Sequence, residues 1–438
     1  MRNYLRGKTG FCLMSYFGLT LPRMVRIRQR IHAPKINDYI TVLREELRKA
    51  GLKEKIKPKA KIAITAGSRG IAHIAEIIAT IVDEIKKAGG EPFIVPAMGS
   101  HGGATPEGQI DVLRSLGITQ ETVGAPIYAS MEVEEIGRLS NGAPVYIDRF
   151  ALKSDGIIVV NRIKPHTDFK DRIESGLMKM MVVGLGKQKG AEIIHRYQLE
   201  GYHKLIPEAA RLIMRKIPIV MGVAIVENAR HEIAVLRALK PEEIEEEEAK
   251  LLELSKDLMA RIPFREIDVL IVDEMGKDIS GVGMDTNVIG RFWASPEECE
   301  PRAPKIKRIV VLDLSEESHG NAVGIGLADI TTKRLVSKIN FDATFMNCLT
   351  STWPETAKIP PFLPNDRDAI LMAIRCCGPI DPFKAKIVRI KNTLELEYMW
   401  ISESLYEFIK SDRDLLERIE ILGEPEEMQF DILGNLAR

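Results

Sequence analysis

Apolar positions along this chain fall into two periods. Short unbroken apolar runs bounded by loops alternate with longer stretches whose apolar residues recur every three or four positions, so strands and amphipathic helices take turns. Residues 35–52 read as a helix, 61–65 as a strand, 67–70 as a turn, 71–88 as a helix closed by Gly89-Gly90, and 92–96 as the next strand. Such a strand–helix–strand unit is a crossover and predicts a parallel sheet. A loop over 96–105 follows, with Thr105 as the cap of a helix that begins at Pro106. Residues 126–150 are irregular and β-rich, 156–160 form a buried strand, and a second strand-like run ends at Val183. A helix over 202–216, strands over 219–226 and 232–238, and an acidic helix over 241–258 complete the first half. After Pro263 a new buried strand, 267–272, restarts the pattern, with further strands expected near 308–312, 335–339 and 386–390 and a helical segment over 405–423.

At 438 residues the chain is long for one core. The expected division is an unstructured extension over 1–23 (or Met24 as the true start), a first domain over 24–265, a second over 266–404, and a helical tail over 405–438 that packs back on the first. Sixty-two basic residues balance sixty-two acidic ones, which gives no general attraction to nucleic acid or to an anionic membrane. A small molecule, or a second copy in a homo-oligomer, is the expected partner. The five cysteines, Cys12, Cys299, Cys348, Cys376 and Cys377, contain no CxxC pair and suggest a reducing, cytoplasmic setting.

The chemistry concentrates in 161–195, NRIKPHTDFKDRIESGLMKMMVVGLGKQKGAEIIH. Pro165 cannot extend a sheet ladder, which puts His166 in the loop at the carboxyl end of a strand, where open α/β sheets bind ligands. His101, between Met-Gly-Ser and Gly-Gly, sits in a loop whose glycines permit close backbone approach to a ligand. Arg69 has the same placement after an earlier strand and suits capture of a carboxylate or phosphate. Gly184 and Gly186, with Gly190, imitate a nucleotide-binding glycine loop between a strand and a helix. No strand ending in an acidic residue follows about twenty residues later, as that motif requires.

These residues resemble the nickel-pincer lactate racemases, a family of 2-hydroxy-acid racemases and epimerases, from about residue 60 to the C-terminus. Ala97-Met-Gly-Ser-His-Gly-Gly-Ala-Thr105 is similar to the family's Gly-Thr-His loop, and Lys164-Pro-His166 to the loop carrying a second histidine. The resemblance implies that His101 and His166 are the acid/base pair. It implies that Lys179 holds the cofactor through a thioamide and that His195, 195 − 179 = 16 residues on, ligates nickel. Gly184 and Gly186 would line the cofactor. Ser68-Arg69 resembles a substrate-binding turn, and Asn287 and Arg291 resemble a second-domain loop that supplies further contacts; Glu317-Ser-His-Gly320 is similar to a glycine–histidine turn there. Ala66 stands where the family has an acidic residue and Gly70 where it has proline, so the hydroxy acid is left open.

The fold implied is α/β, two α/β domains with parallel-type sheets and the active site in the cleft between them, a common place for ligands. The activity implied is inversion of a 2-hydroxy acid by reversible hydride transfer to a nickel-pincer nucleotide, with cofactor-synthesis enzymes as partners. The chemistry is coherent. Two imidazoles, one per face, can alternate as base and acid near neutral pH. A cation must clamp the carboxylate so that only the reacting carbon changes face. The alternatives are an NAD-type oxidoreductase using the 184–190 loop, and a non-catalytic protein of the same fold that binds a metal or a hydroxy acid.

Overall fold

The computed structural model describes residues 20–293 and 299–437. The chain forms two compact units. One consists of His32–Ala260 with Thr350–Thr352; the other holds 20–31, 261–349 and the remainder after 352.

The first unit is built on a five-stranded sheet in the order Glu91–Pro96, Lys61–Ala66, Gly156–Arg162, Ile219–Glu227 and Ile233–Leu239. The first four run parallel, and the last returns antiparallel as a hairpin. The central strands are apolar on both faces because helices cover both sides. Ile157, Ile158, Val159 and Val160 are all buried, and every residue of Ile219–Glu227 is buried. One face packs against Ile74–Lys87, whose Ile74, Ile77, Ile78, Ile81, Val82 and Ile85 form a helical stripe. The other face packs against the segment from Leu177 onward and the helix Ile206–Lys216. Parallel strands deliver their carboxyl ends to one edge, so the loops after residues 66, 96 and 162 emerge together.

The second unit has an eight-stranded mixed sheet. Five strands, Phe362–Leu363, Ile330–Thr332, Lys305–Val311, Glu266–Val272 and Ile387–Ile390, lie parallel in that order. Tyr398–Ser402, Met24–Gln29 and Ile419–Ile421 then extend the sheet antiparallel. The α/β class with parallel-type sheets is therefore as expected from sequence.

Three local expectations fail. The run ending at Val183 is not a strand: Leu177–Lys179 is an α-turn, and Met180–Gly184 continues it as a wider π-turn. Residues 335–339 are not a strand either. Thr332 ends a short strand there, its hydroxyl accepts from Leu335 N–H, and it thereby caps the helix Lys333–Lys338. The tail is only partly helical. Glu403–Ser411 and Arg413–Arg418 are helices, but Ile419–Ile421 pairs with Met24–Gln29, and Leu436 N–H donates to Asp366 in the same unit. Met24–Gln29, assigned to the first domain by sequence, lies in the sheet of the second unit. The expected extension over 1–23 falls mostly outside the described residues. Among the described residues, no helix is long and apolar enough to cross a membrane.

Candidate active site

Arg69, His101 and His166 follow the strands Lys61–Ala66, Glu91–Pro96 and Gly156–Arg162, all at the carboxyl edge of the first unit's sheet. The His166 loop is held from below by Glu174. This fully buried carboxylate accepts from His166 N–H at 2.6 Å and pairs with Lys256 at 2.9 Å and Lys170 at 3.6 Å. Mutual backbone bonds between Lys164 and Ser175 close the loop.

Lys179 sits in the first turn after Gly176. Its turn is fastened at both sides: Asn161 donates to the Gly176 carbonyl at 2.8 Å, and Glu248 accepts from Met178 N–H at 3.0 Å. The Lys179 amine meets His166 Nε2 in a short hydrogen bond. Asp168 N–H donates to the other ring nitrogen, Nδ1, at 3.0 Å. A neutral imidazole has one donor and one acceptor nitrogen. With Nδ1 accepting, the ring proton lies on Nε2 and points at the amine, so this arrangement selects the unprotonated lysine.

The electrostatics agree. Burial brings Lys179 down from 10.5 to about 8, helped by the Lys164 and Arg69 charges and opposed by Asp168 and Glu174. His195 is pulled down from 6.5 to about 4, first by burial and then by the Lys179 charge. His166 is held well below its ordinary value by burial and then by Lys179, Lys170 and Lys164. Both imidazoles are thus neutral at pH 7, the state that a base or a metal ligand requires.

Tyr202, almost fully buried, is the common wall. Its ring lies 5.6 Å from that of His166 and 6.2 Å from that of His195, and the Lys179 nitrogen stands 6.0 Å from its centre. Phe169 stacks on it at 4.7 Å. Lys187, at φ +54°, turns the chain between the segment that bears Lys179 and the helix Lys187–Arg196 that bears His195. That turn lets residues sixteen apart face one ring.

The structure thus brings together His166, Lys179 and His195. Arg69 joins them at longer range, since its charge bears on Lys179; it keeps an open face to solvent, while the protein around its guanidinium and the Arg162 charge pull it below its ordinary value. His101 is exposed in the neighbouring loop, whose Gly99 N–H donates to the Gly184 carbonyl at 3.3 Å.

Gly184 and Gly186 do not form a phosphate loop. A side chain at Gly184 would meet Met180 Sδ at 2.6 Å and the Ala97 carbonyl oxygen at 2.8 Å, and one at Gly186 would meet the Val182 carbonyl oxygen at 2.2 Å. Both are glycine because helical turns and the His101 loop pack against them, which removes the strand–glycine–helix premise of the dinucleotide reading. Lys187, at the start of the next helix, is fully buried, hydrogen-bonded to the Pro96 carbonyl and Gln109 and paired with Asp148.

Asn287 and Arg291 lie in the other unit. Asn287 is buried in Thr286–Ile289, bonded to Asp285 through its backbone N–H and its amide. Arg291 is bound to Asp329 at 2.6 Å and to the Leu327 and Ile306 carbonyls at 3.0 and 3.2 Å, which is a structural commitment. His319 of the glycine–histidine turn has φ +48° and closes a short 3₁₀ turn. In the same unit sequence reasoning passed over Lys277. Its amine is partly buried in the loop after Glu266–Val272 and donates to Asn347 at 2.6 Å. Among the described residues, no three His, Cys, Asp or Glu side chains converge as a metal cluster.

Residues 23–200 match the lactate racemase N-terminal domain. No curated protein matches the chain in sequence. Among solved structures, the lactate racemase apoprotein from Thermoanaerobacterium thermosaccharolyticum superposes with a TM-score of 0.54 at 14% identity, over 85% of this chain and 99% of that one. A protein from Thermotoga maritima gives 0.49 at 15% identity, over 82% and 97%. The first likeness establishes the shared fold.

Proposed function

We propose, from the match of residues 23–200 to the lactate racemase N-terminal domain, that this protein is a racemase or epimerase of a 2-hydroxy acid that works with a lysine-linked nickel-pincer nucleotide. The observation that carries the proposal is the convergence of a depressed lysine and two neutral imidazoles on one aromatic wall.

The residues fit the group. An amine near 8 presents an appreciable neutral fraction for acylation at physiological pH. His195 offers one neutral imidazole, and among the described residues no cluster of His, Cys, Asp or Glu surrounds it, so a metal held here would take its other ligands from the cofactor. When bound, the cofactor supplies a reversible hydride acceptor.

The chain's own residues do the rest. With Lys179 engaged by the group, His166 Nε2 would be left to face the substrate hydroxyl; to take its proton there the ring must carry its own proton on Nδ1, which requires it to give up the bond from Asp168 N–H. His101 serves the opposite face of the reacting carbon from its separate loop. Arg69, exposed and always charged, holds the substrate carboxylate. Phe169 and Tyr202 keep water from the back of the site. A cytoplasmic setting, where cofactor-synthesis enzymes can load Lys179, follows from this reading.

The test is to make the protein together with cofactor-synthesis enzymes. Nickel content, a mass adduct mapped to Lys179, and interconversion of a panel of 2-hydroxy acids from either enantiomer are the expected results. An adduct on another lysine, or nickel retained by His195→Ala, sinks the site assignment. His101→Ala and His166→Ala should each lose on the order of 10²–10⁴-fold in both directions. Near-normal turnover in either ends the two-base mechanism.

A further inference from the structure

Lys187 is a buried cation that the proposed reaction leaves unused. Its side chain is fully shielded, and burial lowers its pKa against the pull of Asp148. Its ammonium meets the Pro96 carbonyl, Gln109 Oε1 at 3.0 Å and Asp148 Oδ2 at 3.4 Å. The first two are hydrogen bonds, and the contact with Asp148 is an ion pair. Asp148 is equally buried, and its other oxygen accepts from Phe150 and Ala151 N–H at 2.8 and 2.9 Å. Desolvation usually cancels most of the attraction within such a pair. Stability alone is therefore a weak reason for keeping it.

A better reason lies in what the pair holds. Gln109, also fully buried, donates through Nε2 to the Gly99 carbonyl at 3.0 Å and to the His101 carbonyl at 3.3 Å. Lys187 decides which way that amide faces, because an ammonium can meet only its oxygen. Pro96 is the last residue of its strand. Lys187 thus grips the His101 loop directly at its root and, through Gln109, at its tip. The same residue makes the turn between the Lys179 segment and the His195 helix. Asp148 completes the link, since its N–H donates to the Leu185 carbonyl at 2.8 Å.

We propose that Lys187 is a positioning residue, the centre of a buried Asp148–Lys187–Gln109 chain that fixes the His101 loop against the segment carrying Lys179 and His195. Its catalytic meaning rests on the reading of His101 as an acid/base group, whereas the loop geometry it sets can be measured without turnover.

Hydrogen exchange on the full chain tests it. Gln109→Met removes the amide but leaves Lys187 its bonds to Asp148 and Pro96. Two buried hydrogen bonds to the loop are lost, so amide exchange over 97–104 should rise by at least roughly tenfold, the factor that one such bond corresponds to. The strands Lys61–Ala66 and Gly156–Arg162 should keep wild-type protection, and the His101 imidazole resonance should move. The double variant Lys187→Met with Asp148→Asn removes both charges together, leaves no unpaired ion, and should loosen the same loop. Unchanged exchange over 97–104 in both variants overturns the proposal. So does a rise spread evenly across the first unit, which is what a purely structural core pair would give. Racemisation by the loaded wild-type protein is scored separately: local loosening without racemisation removes the reaction and upholds the positioning role.

Discussion

Lys179 should titrate near pH 8, and this can be measured without cofactor. The drop from 10.5 to about 8 corresponds to roughly 3 kcal/mol in favour of the neutral amine. At pH 7.5 a group at about 8 is about one quarter neutral, against about one thousandth for an ordinary lysine, a ratio of roughly 250. Trace acetylation from pH 6 to 11, followed by digestion and mass spectrometry, reads each lysine's midpoint. A blocked free lysine added to the sample is the reference. The Lys179 peptide should reach half its limiting rate near pH 8, and the free lysine more than two pH units higher. The midpoint matters rather than the rate, since packing against His166 slows any reagent. The neighbours give the signs. Arg69→Gln removes a cation that lowers Lys179, so the midpoint rises; Asp168→Asn removes the largest opposing charge, so it falls. A Lys179 midpoint that coincides with that of the free lysine refutes the whole electrostatic account of the site.

Three further outcomes follow from the same geometry. Lys179→Met removes the foremost charge depressing both His195 and His166, so imidazole titration by NMR should show both rising, His195 from about 4; a fixed value shows that burial alone sets it. Between pH 6.5 and 4 the unfolded chain binds the His195 proton and the folded one does not, so this residue's stabilisation is complete above 6.5 and is lost as pH falls through 4, bounded by roughly 3 kcal/mol. Glu248, raised to about 8 by burial, has the opposite sign over part of that interval, so the measurement is the difference in denaturant stability between His195→Gln and wild type, and a flat difference refutes it. Gly176→Ala would place a methyl 2.1 Å from Glu248 Oε1 and should cost about 1–3 kcal/mol; an unchanged thermal midpoint would mean that Glu248 does not pack as described.

The sheet edge was legible because parallel strands announce themselves locally. Runs such as Gly156-Ile-Ile-Val-Val160 need no partner to be recognised, and the loops after them carry Arg69, His101 and His166 wherever the rest of the chain goes. The segment after Lys179 was misread for the same reason. Met180-Met-Val-Val183 is four apolar residues, a length at which a buried helix and a buried strand have the same pattern. The strand Met24–Gln29 was invisible because its partners lie about 370–400 residues away, and no local period encodes such a pairing. Glu248, in a run of glutamates that reads as a solvated helix face, is buried instead: its bond to Met178 spans 70 residues, and only the fold puts the two side by side.

That long-range layer gives the Lys179 amine its character. A lysine reaches about 8 only if burial is not cancelled by a carboxylate, and two carboxylates lie close to its turn. Each is otherwise engaged. Glu174 is held by Lys170, Lys256 and the His166 N–H, so most of its charge is answered before it reaches Lys179. Glu248 is raised to about 8 by its own burial, so it is mostly uncharged at neutral pH, and it fastens the turn through Met178 N–H as a dipole rather than as an ion. Asp168 is left as the largest opposing charge, and its backbone N–H bonds His166 Nδ1, the bond that turns the Nε2 proton toward the amine. The motif 161–195 supplies His166, Lys179 and His195 and most of the charges that act on them, whereas Tyr202, Glu248 and Lys256, which wall and brace them, are close to the site only in the folded chain.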